Sequence, residues 1–215
     1  MKKFELTTES IETVSGEKLF RIKALVSFDA VEAGELGGYV EKEENLSHEG
    51  NAWVYDNAQV YGNARVYGNA WVYDNARVHG NARVHGNAQV CGDARVYGNA
   101  RVYGNAWVYD NARVHGNARV HGNAQVCGDA DIYDNSQKSS VDGFGSENRT
   151  TTFFREKSGG VGVKCGCFYG TLDEFREKVR KTHGDSEIGQ EYLAIADVEE
   201  RRFKRVAKKG EETDD

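Results

Sequence analysis

The 215-residue chain contains no proline and a single methionine. Without proline no polyproline linker can form, and extended ladders and helices meet no built-in breaker. No run approaches the roughly 20 apolar residues that a membrane-crossing helix requires. The N-terminus shows no secretory leader, so a soluble, cytoplasmic protein is expected. Cysteine is sparse, with only Cys91, Cys127, Cys165 and Cys167. Cys165-Gly166-Cys167 has no second ligand pair beside it, so no metal site is expected and the thiols read as reduced. Lysine is missing from residues 54–132, which hold seven arginines and six aspartates. The net charge of −6 excludes a general polyanion-binding surface, and no nucleic acid is expected as partner.

What the chain does have is a period of six. Valine stands at 54, 60, 66, 72, 78, 84, 90, 96, 102, 108, 114, 120 and 126, and Ile132 closes the series. An alanine precedes each by two, from Ala52 to Ala130. Ala-x-Val-x is a short strand with alanine and valine on one side and the two variable residues on the other. Gly-Asn, Asp-Asn or Gly-Asp then turns the chain, because these residues accept tight or left-handed backbone. One hexad cannot bury its own apolar side, so stacking must do so, which is the logic of a solenoid. Residues 60–94 and 96–130 are identical, at an offset of 36. If three hexads make a coil, that offset is two whole coils and returns every side chain to its own face. Cys91 and Cys127, copies of one repeat position, are then ~10 Å apart at two strand spacings, too far to bridge.

The hexads resemble those of hexapeptide-repeat proteins, whose aliphatic residue recurs at every sixth position. That resemblance implies a left-handed parallel β-helix of triangular section with eighteen residues to the coil. It extends beyond the repeat. Gly166-Cys167-Phe168-Tyr169-Gly170-Thr171-Leu172-Asp173-Glu174-Phe175, with His183-Gly184-Asp185, is similar to a small module that follows Asn-Ala-x-Val-x-Gly repeats in bacterial and phage proteins. Leu19-Phe20-Arg21-Ile22 and Gly37-Gly38-Tyr39-Val40 are similar to the N-terminal cap of the same proteins.

The expected fold is mainly β, with four parts. Residues 1–50 form an N-terminal β cap with strands around 3–6 and 18–25, and Asn45-Leu46-Ser47-His48 reads as a degenerate hexad. Residues 51–136 form the β-helix, a rod of roughly 20 Å at ~4.8 Å per layer. Residues 137–149, rich in Ser and Gly, read as a linker. Residues 150–215 form a small α+β module with a hairpin across Ser158-Gly159-Gly160. There Thr171-Leu172-Asp173-Glu174 is a capping box, and Leu172, Phe175 and Val179 form the apolar stripe of the helix it opens. A second helix is predicted from Ser186 with Ile188, Tyr192, Ile195 and Phe203 inward, and Glu211–Asp215 reads as a frayed tail.

Every third hexad shares a face. The first face carries Trp53, Trp71, Gln89, Trp107 and Gln125, with Tyr55, Tyr73, Cys91, Tyr109 and Cys127 after the valines. Uncharged and aromatic, it is a candidate interface, and the resemblance implies a homo-oligomer, a trimer first; the alternative is aromatic ladders that only stabilise the rod. The second face carries Gln59, Arg77, Arg95, Arg113 and Asp131, with Tyr61, His79, Tyr97, His115 and Tyr133. The third carries Arg65, Arg83, Arg101 and Arg119, with Tyr67, His85, Tyr103 and His121. Arginines stacked at ~4.8 Å repel one another, so something must offset them. Ring stacking, the acidic corner of Asp56, Asp74, Asp93, Asp110 and Asp129, simple solvation, or a bound anion would each do so.

Two functions follow. The first is a non-enzymatic binding or scaffold protein, without cofactor, that holds a phosphate-bearing small molecule or nucleotide on its arginine faces, because guanidinium forks suit phosphate. The second is implied by the resemblance: acyl transfer from acyl-coenzyme A with a histidine as general base, the candidates being His79, His85, His115 and His121. These four are two pairs of copies, and none is singled out by its hexad.

Overall fold

The computed structural model describes residues 1–211, and the surroundings of side chains through residue 207. The fold is mainly β: N-terminal strands, a β-solenoid and a small C-terminal module of strands and helices. Fourteen two-residue strands run from Trp53–Val54 to Asp131–Ile132. They stack in parallel at an offset of eighteen, so Trp53 pairs with Trp71 and Arg65 with Arg83. Three parallel ladders result, one to a face, and the first is five-stranded. The inward alanines and valines from Ala52 to Val126 are fully buried. Most corners turn on a glycine with positive φ, while Asp56, Asp74 and Asp110 take that conformation at one corner of the first face. Asp74 accepts from the Gly92 N–H (3.0 Å) and Asp110 from the Gly128 N–H (3.1 Å) one coil on. The other corners are tied by asparagine ladders, such as Asn69–Asn87–Asn105–Asn123 at 3.0–3.1 Å.

The stack has a polarity that dictates its ends. The N–H groups of the outward-facing residues donate to carbonyls of the following coil, as Trp53 N–H does to Ala70 O (3.1 Å), while the corner N–H groups of Gly92 and Gly128 donate back to aspartates of the preceding coil. At the N-terminal end the carbonyls that such outward N–H groups would meet therefore need donors, and at the C-terminal end the outward N–H groups themselves need acceptors. At the first end donors meet those carbonyls, and Glu41 also accepts the Gly62 N–H (2.6 Å). Part of it is covered by the strand Leu36–Val40, which pairs in parallel with Gln59–Val60 and is itself the edge of an antiparallel hairpin, Phe4–Glu12 with Lys18–Ala24. The first coil thus begins inside the segment expected to be a separate cap ending at residue 50. Gly37 and Gly38 make this joint: a Cβ on Gly38 would lie 2.7 Å from the Ala58 carbonyl and from a Val54 methyl. Elsewhere side chains supply the donors. Asn45 Nδ2 donates to Gly62 O (3.1 Å) and Ala64 O (2.9 Å). Lys3 Nζ donates to Gly50 O (3.2 Å) and Ala52 O (2.8 Å), and its burial lowers its pKa to about 8.

Acceptors close the second end. Thr152 Oγ1 takes the Gln125 N–H (3.1 Å), Asn135 Oδ1 that of Arg119 (2.8 Å) and Gln137 Oε1 that of Tyr133 (2.6 Å). The cover is a four-stranded antiparallel sheet of Lys138–Phe144, Arg149–Arg155, Val161–Cys165 and Phe168–Thr171. Two helices pack on it, α1 (Leu172–His183) and α2 (Glu187–Glu211). In Arg149–Arg155 the side chains alternate: Phe154 completes the solenoid core, and Phe153 faces the module's own core.

Several expectations need correction. The stretch 137–149 is not a linker, because Lys138–Phe144 pairs along Arg149–Arg155. Ser139 Oγ donates to the buried Glu199 of the module (2.8 Å). Ile188 stands exposed in the first turn of α2, whereas Tyr192 and Phe203 are buried. Of the tail expected to fray, Glu211 ends α2, and residues 212–215 lie outside the described residues. Thr171 and Glu174 do form the reciprocal capping box of α1, and Gly184 ends that helix. No described helix is long and apolar enough to cross a membrane.

Candidate functional site

The first face is not one continuous aromatic surface. Trp53 is fully buried, with Phe28 against its edge at 5.4 Å and Phe4 at 6.2 Å. It is therefore part of the joint between hairpin and solenoid and cannot serve an interface. Tyr55 packs partly against the same core. Trp71 is half-buried, Trp107 is 40% exposed and Cys127 is buried. Tyr73 donates to Gln89 across the ladder (3.0 Å). Burial raises the Tyr55 hydroxyl to about 12, and those of Tyr73 and Tyr109 rise for the same first cause.

On the other two faces the rings form columns along the rod axis. On the second, Tyr61, His79, Tyr97 and His115 stack with centroids 4.8–5.1 Å apart and planes within 7°. On the third, Tyr67, His85, Tyr103 and His121 are spaced 4.7, 5.2 and 5.2 Å. Burial in the columns acts on three of the histidines. Burial first, and neighbouring cations second, hold His85 and His121 below the usual imidazole value; burial does the same to His79. A folded-state pKa below the unfolded 6.5 means that the unfolded chain takes up protons first as the solution acidifies. That stability is full above pH 6.5 and is lost as pH falls through the folded value. The urea midpoint should fall between pH 7 and 5, and His79→Tyr with His85→Tyr, which turns the column interiors to tyrosine, should flatten that fall.

Beside the columns run the guanidiniums. Arg65, Arg83, Arg101 and Arg119 are in register on the third face and all are exposed. Arg77, Arg95 and Arg113 are in register on the second. Among the described residues none of these seven side chains has a hydrogen-bond or ion-pair partner. The acidic corner does not neutralise them: the carboxylates of Asp74 and Asp110 turn to the backbone of their own corner. Nor do the guanidiniums lie over the rings of the columns, as Arg21 lies over Tyr39 at 5.1 Å in the N-terminal hairpin.

One histidine does differ from its copy. His115 Nε2 lies 2.8 Å from Asp131 Oδ1, whereas the corresponding neighbour of His79 is Arg95. The signal was present in the sequence, because Asp131 stands where that face otherwise has arginine. It needed the stacking register to be read. The candidate set is completed by residues that sequence reasoning missed: Glu43, Glu44, Leu46, Ser47 and His48 line a groove of about 610 Å3 above Arg65, Tyr67 and Arg83.

The YdcK beta solenoid repeat family matches the chain over residues 58–74, 70–86, 88–99, 94–109 and 106–122. These segments all lie inside the coils that carry the columns and the arginines. The chain therefore carries β-solenoid repeats similar to that family's, and the N-terminal strands and C-terminal module stand outside the match. No curated protein matches the chain.

Proposed function

We propose that this protein is a non-catalytic β-solenoid that binds a phosphate-bearing small molecule along its third face. The observation that carries this is the ladder of Arg65, Arg83, Arg101 and Arg119, exposed, in register and without carboxylate partners among the described residues. Unpaired like charges at ~4.8 Å spacing are unfavourable in the free protein. A bound phosphate relieves that repulsion and is gripped by planar forks that match its oxygens. Neutral imidazoles and tyrosines beside the forks add a flat apolar wall. Self-association, a trimer first, belongs to this reading, with Trp71, Tyr73, Trp107 and Tyr109 as the contact face.

The test is a thermal-shift panel of nucleotides, cyclic nucleotides, coenzyme A and acetyl-coenzyme A. A ligand at a hundred times its Kd adds about 2.7 kcal/mol, or roughly 5–10 °C for a chain of this size. A shift with nucleotides is expected, and Arg83→Ala with Arg119→Ala should abolish it. A shift confined to the coenzyme A compounds would overturn the reading in favour of acyl transfer. His115 would then be the base, since Asp131 orients it as a general base must be oriented.

A further inference from the structure

The ring column of the third face stops abruptly at its N-terminal end. Inside the column each ring has another on both sides. Tyr67 is the first, with one face on His85 at 4.7 Å and planes within 8°. The position above it is Ser47: its N–H donates to Val66 O, as the Tyr67 N–H donates to Val84 O one coil on. Ser47 has no ring to offer, and its Oγ accepts the Glu49 N–H at 3.0 Å. The second face is closed at the same level. There the residue above Tyr61 is Glu41, whose carboxylate reaches down to the Gly62 N–H at 2.6 Å. The groove of about 610 Å3 opens where the third column stops. That volume lies in the range of small-molecule sites.

The groove is lined by groups of both charges. Arg65 and Arg83 line it from the ladder, and Glu43 and Glu44 from the segment that crosses above them. Glu43 is engaged by Lys2 (2.7 Å) and faces His48 (3.4 Å). Glu44 is exposed and has no hydrogen-bond or ion-pair partner among the described residues.

We infer that this slot is a nucleotide subsite: a flat base lies on Tyr67 as the next ring of the column, its phosphate on Arg65 and Arg83, its exocyclic amine toward Glu44. The inference rests on the phosphate-binding reading of the third face and deepens it to a ligand class, an amine-bearing nucleoside monophosphate. Aromatic side chains accept any base on their π-face, and the column already shows the spacing such stacking adopts. The two carboxylates repel a phosphate, so an anionic ligand enters with its phosphate toward the arginines.

The experiment is calorimetric titration of the full chain with adenosine 5′-monophosphate, inosine 5′-monophosphate and ribose 5-phosphate, which share one phosphate. Adenosine monophosphate should bind the unaltered protein about ten- to a hundredfold more tightly than ribose 5-phosphate, the range that stacking of one base supplies. Tyr67→Ala should erase that ratio while leaving ribose 5-phosphate affinity as it was. Arg65→Ala with Arg83→Ala should weaken both ligands, and Glu44→Gln should remove the preference for adenosine over inosine monophosphate. Equal affinity of the unaltered protein for adenosine monophosphate and ribose 5-phosphate would overturn the slot and leave the phosphate ladder standing. Binding of neither would overturn both. The deciding comparison uses the unaltered protein, so it does not depend on any variant folding.

Discussion

Phe154→Ala should destabilise the protein by about 3–5 kcal/mol, the range for removing a large aromatic from a closed core. The phenyl ring is fully buried and belongs to the solenoid's cluster although its strand belongs to the C-terminal module. Around it the two parts are already joined by polar contacts: Thr152 Oγ1 with Gln125 N–H (3.1 Å), and Lys157 N–H with Asp129 O (3.0 Å). Truncation leaves a void over the last coil that those contacts hold open. Against a typical total of about 5–15 kcal/mol, this is a large fraction. Where the weakened module detaches, the parallel edge it covers would recruit other chains, so concentration-dependent aggregation should accompany the loss. Equilibrium urea unfolding at micromolar protein measures the first effect, and light scattering the second. Phe153→Ala, one residue away, is the control. Its side chain fills the module core, so its loss should register first in the module's helices by far-UV circular dichroism, with association following only where the module's sheet leaves the last coil. A cost below about 1 kcal/mol for Phe154→Ala would show that the plug is dispensable.

The middle of this molecule was legible in its sequence and the ends were not, for one physical reason. Inside the solenoid every hexad meets copies of itself, so its environment is written in its own period. Ala at one position, Val two later and a Gly or Asp at the corner suffice to assign the faces, and the ladders run as assigned. At the ends the partner is a unique segment far away in the chain. Nothing in Trp53 distinguishes it from Trp71 and Trp107; Phe4 and Phe28 bury it. Nothing in the Ser/Gly composition of Lys138–Phe144 marks a strand, because its ladder with Arg149–Arg155 supplies the order. The candidate site divides the same way. The arginine ladder follows from the period. The open end above Tyr67 depends on Ser47 and on the two residues, His48 and Glu49, inserted before the corner at Gly50, which a six-residue template passes over.

Asn45 carries the second large effect, and its sign depends on the polarity of the stack. The residue is fully buried. Its Nδ2 bridges the carbonyls of Gly62 and Ala64, and its Oδ1 accepts the Lys42 N–H at 3.0 Å. Asn45→Ala leaves two carbonyls and one N–H without partners, at about 1–3 kcal/mol for each buried group, so a loss of at least ~3 kcal/mol is expected. Asn45→Asp should be worse than alanine. It sets a carboxylate oxygen against two carbonyl oxygens where a donor is needed, and buries a charge without a counter-ion. At the opposite end the same change should be nearly silent. Asn135 uses its oxygen to accept the Arg119 N–H at 2.8 Å, and aspartate keeps that acceptor at an exposed position. Asn135→Asp should therefore stay within about 0.5 kcal/mol of the unaltered protein. Urea midpoints of the two Asn→Asp variants at pH 7 test the argument in one comparison. A large loss for Asn45→Asp beside a small one for Asn135→Asp follows if the free carbonyls of the N-terminal end are met by donors and the free N–H groups of the C-terminal end by acceptors. Similar losses at both positions would mean that closure of this solenoid depends on apolar packing rather than on the direction of its hydrogen bonds.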